Sequence, residues 1–130
     1  MASIFTKIIS GEIPSYKIAE NDKFLAFLDV FPLVHGHVLV VPKKEIDYIF
    51  DIDDTDLSEM MIFAKGVAKA LKKSVECKRI GVAVIGLEVP HAHIHLVPMN
   101  TANDVNFTQA KLKPSPEELS AMADKIRSNY

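Results

Sequence analysis

The sequence predicts an α+β fold with a mostly antiparallel sheet of about five strands, one long central helix and a C-terminal helix. Short apolar or alternating runs follow one another closely, as strands joined by tight turns do. A single long helical pattern interrupts them between about residues 53 and 75. The third observation is a run of alternating histidines, His91, His93 and His95, separated by Ala92 and Ile94 and followed by Leu96.

Taken in order, residues 3–10 read as a short helix with Ile4, Phe5, Ile8 and Ile9 on its apolar side, ended by Gly11. Pro14 then breaks into extended chain. Residues 16–19 and 23–29 read as two strands joined at Asn21 and Asp22, a hairpin. A turn at His35 and Gly36 leads into residues 37–41, apolar on both parities after the first, as in a strand covered on both faces; Pro42 stops it. Asp53, Asp54 and Thr55 offer caps for the long helix, on which Leu57, Met60, Met61, Ala64, Val67, Ala68 and Leu71 recur at helical spacing. That stripe is read as core.

Residues 79–85 form another strand, 86–90 a short loop, and 92–98 the histidine strand. The chain is then polar as far as Lys113. Ser115, Pro116 and Glu118 mark a final helix, with an N-cap serine, proline at the first position and glutamate at the third.

In a strand, successive side chains point to opposite faces, so the three histidines share one face while Ala92, Ile94 and Leu96 pack on the other. Such a row of imidazoles can ligate a metal, supply a nucleophile with flanking acid/base groups, or cradle an anion.

Composition narrows the choice. The length is that of one domain, and 48% hydrophobic with 25% charged residues excludes disorder. A net charge of −2 provides no field for DNA or RNA, although a small anion needs only local donors. Cys77 is the only cysteine, which excludes an intrachain disulfide and a thiolate zinc cluster and fits a reducing, cytoplasmic setting. Residues 1–11 lack the apolar run of a secretory leader, and no stretch reaches the ~18 apolar residues of a membrane span. The sequon at Asn106, Phe107 and Thr108 is read as incidental to a polar loop.

The segment from His91 to Val97 fits the pattern His-φ-His-φ-His-φ-φ, with φ apolar, and resembles the histidine-triad (HIT) family, within it the Hint branch of nucleoside phosphoramidate hydrolases. The likeness extends over residues 4–9, Gly11 to Pro14, 25–30 and Gly36 to Lys43, so that residues 4–98 form the matching core and 99–130 a polar loop and closing helix of one HIT domain, 1–130.

The resemblance implies that His93 attacks the α-phosphorus of a purine nucleotide derivative, such as an AMP phosphoramidate, to form a nucleotidyl-histidine that water cleaves. It implies a backbone carbonyl near His91 that holds the His93 tautomer, a phosphate-oxygen donor in His95, and an orienting role for His37. Asp29 is implied to take the ribose hydroxyls, and Phe5, Ile8, Phe27, Val30 and Leu39 to wrap the base.

Departures also stand out. Many relatives carry Cys-x-x-Cys and a following histidine that bind structural zinc; Ser3, Thr6 and Glu45 occupy those places, so no metal and no cofactor is expected. The loop before His91 is short, and Glu88 stands where uncharged donors are usual. Parity opposite to the histidines sends Glu88 to solvent. Turned inward instead, it would attract a protonated amine leaving group.

Two other readings remain at this stage: three imidazoles ligating a metal, or a nucleotide-binding regulatory module with little turnover. A homodimer is expected because residues 57–71 and 38–41 offer more apolar surface than one small sheet covers.

Overall fold

A computed structural model describes residues 2–130. Helix α1 (Ile4–Ser10) begins at Ser3, whose hydroxyl accepts the Thr6 N–H, and ends at Gly11 in the left-handed region. Strands β1 (Lys17–Glu20) and β2 (Phe24–Leu28) form the expected hairpin. Its turn is held by Asn21 Oδ1, which accepts from the N–H groups of Lys23 and Phe24. Every residue of β3 (Val38–Pro42) is buried, as the two-sided apolar pattern requires.

Gly36, just before β3, has φ +91°, and a Cβ there would lie 3.0 Å from Val75 Cγ2 and 3.3 Å from Pro98 Cγ. Both the conformation and the close approach demand glycine.

Helix α2 (Asp54–Ser74) is capped by the Asp53 carboxylate, which accepts the Asp56 N–H. Strands β4 (Arg79–Ala83) and β5 (Ile94–Met99) follow, then α3 (Pro116–Ser128) with the full capping box between Ser115 and Glu118. All strand pairings are antiparallel, in the order β1-β2-β3-β5-β4.

Most strand boundaries lie within one residue of the sequence expectation, and two differ by two residues. β4 ends at Ala83, not at residue 85, and β5 begins at Ile94, so His91 and His93 lie ahead of the strand. Pairing between β3 and β5 stops at Val40 and Ile94. Beyond it the Ala92 N–H donates to Ile46 O and the His91 N–H to Val89 O, so the backbone leaves the ladder for partners outside it.

The sheet separates two apolar layers. Phe24, Ala26, Leu28, Val38, Val40, Ala92, Ile94 and Leu96 pack with α2 and α3 on one side. On the other, Leu25, Phe27, Leu39 and Val41 pack with Phe5 and Ile8 of α1. Leu39 faces both Phe27 and His95 in register, which places His95 on the α1 side.

Candidate active site

All three histidines of the run are buried, and so is His37. Their spacing puts Ala92, Ile94 and Leu96 into the opposite core, as the alternation predicts. The rings adjoin one another: His93 and His95 have centroids 4.8 Å apart, and His37 and His95 5.1 Å. Phe5 of α1 sets its edge or face against both His91 and His93, at 5.7 and 5.0 Å.

Hydrogen bonds assign the protons. A carbonyl can only accept, so the ring nitrogen facing it carries hydrogen. His93 Nδ1 lies 2.8 Å from His91 O and therefore donates, which leaves the lone pair of neutral His93 on Nε2. His37 Nδ1 accepts the Leu33 N–H at 3.1 Å, so its Nε2 carries the proton and donates to His95 Nδ1 at 2.9 Å. The remaining proton of neutral His95 then sits on Nε2. His91 Nε2 donates to Pro42 O at 2.7 Å, leaving Nδ1 to accept from the Ser3 hydroxyl at 2.8 Å.

Burial keeps His37, His91 and His95 uncharged. It pushes His37 down to about 4 and His95 to about 3, helped by the positive charge of Lys111 and by the repulsion that a protonated neighbouring imidazole would exert. His91 is lowered as well, again chiefly by burial. The site thus pairs a histidine whose Nε2 lone pair is free with a neighbour that keeps an Nε2 proton, the combination required for nucleophilic attack beside a fixed donor.

Asp29 follows β2, with its N–H on His37 O at 3.0 Å and its Oδ1 accepting the Phe31 N–H at 2.9 Å. Its Oδ2 lies 3.9 Å from His37 Nε2, and burial raises its pKa. Phe5, Ile8, Phe27 and Leu39 form one cluster bordering the histidines, with Val89 packed against it. Val30 stands apart from that cluster and is 42% exposed. Glu88 is exposed on the loop between β4 and β5.

Two contributors were not anticipated. Phe107 lies 4.6 Å from the His95 ring and 6.2 Å from His37, with Lys111 Nζ 5.9 Å from the Phe107 centroid. The loop returns to the site because the Leu112 N–H donates to Pro32 O, close to Asp29. On the other side of His93 a groove of about 510 Å³ is lined by Tyr48, Phe50, Met61, Val82 and Val84 among others.

Metal ligation fits poorly. Both nitrogens of His91 are engaged within the protein, which removes it as a third imidazole ligand. Asp29, His37 and His95 bring potential ligand atoms within 4.8 Å of one another, but both His37 nitrogens and His95 Nδ1 are already in hydrogen bonds. Around Ser3, two neutral hydroxyls and one carboxylate replace soft donors. Thr6 Oγ1 and the Ser3 N–H both donate to Glu45 Oε1 at 2.6 Å. That donor set does not suit a structural zinc.

Residues 10–102 match the HIT domain family model. Adenosine 5'-monophosphoramidase hnt1 of Schizosaccharomyces pombe is 32% identical over 130 residues, covering 98% of both chains. Among solved structures, a Hit-like protein involved in cell-cycle regulation from Bartonella henselae superposes with a TM-score of 0.86 at 32% identity, covering 98% of this chain and 96% of its own. A zinc-bound histidine triad family protein from Mycobacterium smegmatis superposes at 0.81 with 25% identity, covering 99% and 93%. On the fold, the histidine cluster and these matches together, the chain belongs to the HIT family.

Proposed function

We propose that this protein is a nucleotide hydrolase that cleaves purine nucleoside 5'-phosphoramidates, of the AMP-amine type, through a covalent intermediate on His93. The observation that carries the proposal is the proton arrangement: a lone pair on His93 Nε2 beside a proton on His95 Nε2, each set by the partner of the ring's other nitrogen. The similarity to the Schizosaccharomyces pombe adenosine 5'-monophosphoramidase supports the same substrate class.

In the first step His93 Nε2 forms a bond to the α-phosphorus as the phosphorus–nitrogen bond to the amine breaks, the amine leaving with a proton from solvent. His95 Nε2–H donates to a non-bridging oxygen whose charge grows in the transition state. Water then attacks the phosphorus and releases a proton to solvent as the bond to His93 Nε2 breaks, AMP departs, and His93 recovers its lone pair. Asp29 holds the ribose hydroxyls, and the Phe5, Ile8, Phe27 and Leu39 cluster receives the base. No metal or cofactor enters either step.

The working form is a two-fold homodimer in a reducing cytoplasm. β4 lies at the end of the sheet order and carries exposed Val82, with Val84, Met61 and Phe50 exposed nearby in the groove beside His93. A second copy pairing there covers both the strand edge and the apolar groove. A light-scattering mass of 14.4 kDa at micromolar concentration contradicts the dimer.

A single-turnover assay with adenosine 5'-phosphoramidate tests the activity. Release of AMP supports it. Binding without turnover favours a regulatory nucleotide-binding module.

A further inference from the structure

We propose that Ser3, Thr6 and Glu45 form a metal-free clasp that positions the nucleophile through His91. Ser3 is buried, at 6% exposure, although it lies only two residues from the chain start. Its hydroxyl has one proton and two lone pairs. One lone pair accepts the Thr6 N–H at 3.0 Å, as a helix cap does; the proton goes to His91 Nδ1 at 2.8 Å. The Ser3 N–H and the Thr6 hydroxyl both end on Glu45 Oε1, joining α1 to the segment after β3. These contacts press the Glu45 carboxyl down to about 2, so it stays an acceptor at any physiological pH.

The clasp reaches the reaction centre through His91. With Nδ1 receiving the serine proton, Nε2 must carry hydrogen, which it gives to Pro42 O. The ring is therefore tied on both edges, to α1 and to β3. The His91 carbonyl is the acceptor for His93 Nδ1, and the next residue's N–H donates to Ile46 O, adjacent to Glu45. Ser3 and Glu45 thus fix the residue that fixes the His93 tautomer. They are positioning residues; neither touches the reacting atoms. Tolerances of this kind matter, since small misplacements of a reacting group cost rate rather than binding.

The kinetic arm rests on the hydrolase reading above; the spectroscopic arm does not. Four proteins serve: wild type, Ser3→Ala, Ser3→Gly and Glu45→Ala, each assayed for AMP-phosphoramidate turnover and for the imidazole ¹⁵N signals of His91. Alanine loses the helix cap while glycine loses little of it, and both lose the hydroxyl donor. Loss of the clasp lowers kcat about tenfold to a hundredfold in both Ser3 variants alike, with KM within about twofold. The His91 Nδ1 signal moves away from its hydrogen-bonded position in the same two variants. Glu45→Ala falls in the same direction, and added zinc changes none of the four.

Unchanged kcat in both Ser3 variants overturns the proposal, as does a loss confined to alanine, which would make helix capping the cause. Activation by zinc overturns it too. If the wild type shows no turnover, the hydrolase reading fails, and the His91 signal alone decides the clasp: an identical Nδ1 signal in wild type and Ser3→Gly refutes it.

Discussion

Acidification from pH 7.5 to 5 should destabilise the protein through its buried histidines. His37 and His95 have pKa values near 4 and 3 in the folded chain against 6.5 when unfolded, so below pH 6.5 the unfolded state binds protons that the native state refuses. The stability of the neutral rings is fully present above pH 6.5 and is lost progressively as pH falls toward the folded values. At pH 5 each ring has forfeited about 2 kcal/mol, on the order of 4 kcal/mol for the pair. That is a large share of the roughly 5–15 kcal/mol typical of a whole domain.

Carboxylates do not mask the effect. Glu20, Glu45 and Asp56 are lowered, chiefly by hydrogen bonds from Lys43, Thr6 and Lys23, so their contributions are lost only below the unfolded carboxylate range. Asp29, raised by burial, works in the opposite sense and regains stability as it protonates. Urea unfolding at fixed protein concentration, at half-unit pH steps, measures the slope. His37→Gln removes about 2 kcal/mol of the pH 7.5-to-5 difference. Equal stability at pH 7.5 and 5, or an unaltered slope in His37→Gln, refutes the neutral state assigned to these rings.

Other consequences follow from single side chains. Lys111→Met should weaken AMP binding several-fold in calorimetry while leaving adenosine binding unchanged, with a smaller difference in high salt because an exposed cation is screened. Asp29→Asn replaces one of the two acceptor oxygens with a donor and removes the charge, so discrimination between ribo- and 2'-deoxyribonucleotides should fall in competition binding. Gly36→Ala combines φ +91° with a Cβ 3.0 Å from Val75 Cγ2, and should cost about 1–3 kcal/mol by denaturation.

The parts of the molecule legible in its residues were those governed by local rules. Alternation from His91 to Leu96 sorted side chains between two layers, and the residues around Ser115 announced their helix because a capping box is local chemistry. Of the proton arrangement, the carbonyl at His91 that holds His93 was implied by the family resemblance, but the rest was not legible. It depends on backbone groups of Pro42 and Leu33, distant in the chain and silent in composition. Phe107 and Lys111 were hidden for a similar reason: a polar stretch is steered to the site by one backbone bond from Leu112 to Pro32. The cluster around Ser3 lay between these cases. Loss of the soft donors at Ser3, Thr6 and Glu45 was readable from the sequence and its family resemblance, but their mutual hydrogen bonds required the fold.

The covalent role of His93 has a direct test. Enzyme mixed with excess adenosine phosphoramidate is quenched under neutral denaturing conditions within one turnover, digested, and mapped by mass spectrometry for a nucleotidyl group. The account predicts the adduct on His93, cleaved by acid, and both adduct and turnover absent from His93→Ala. An adduct on any other residue, or a His93→Ala protein with wild-type kcat, contradicts it.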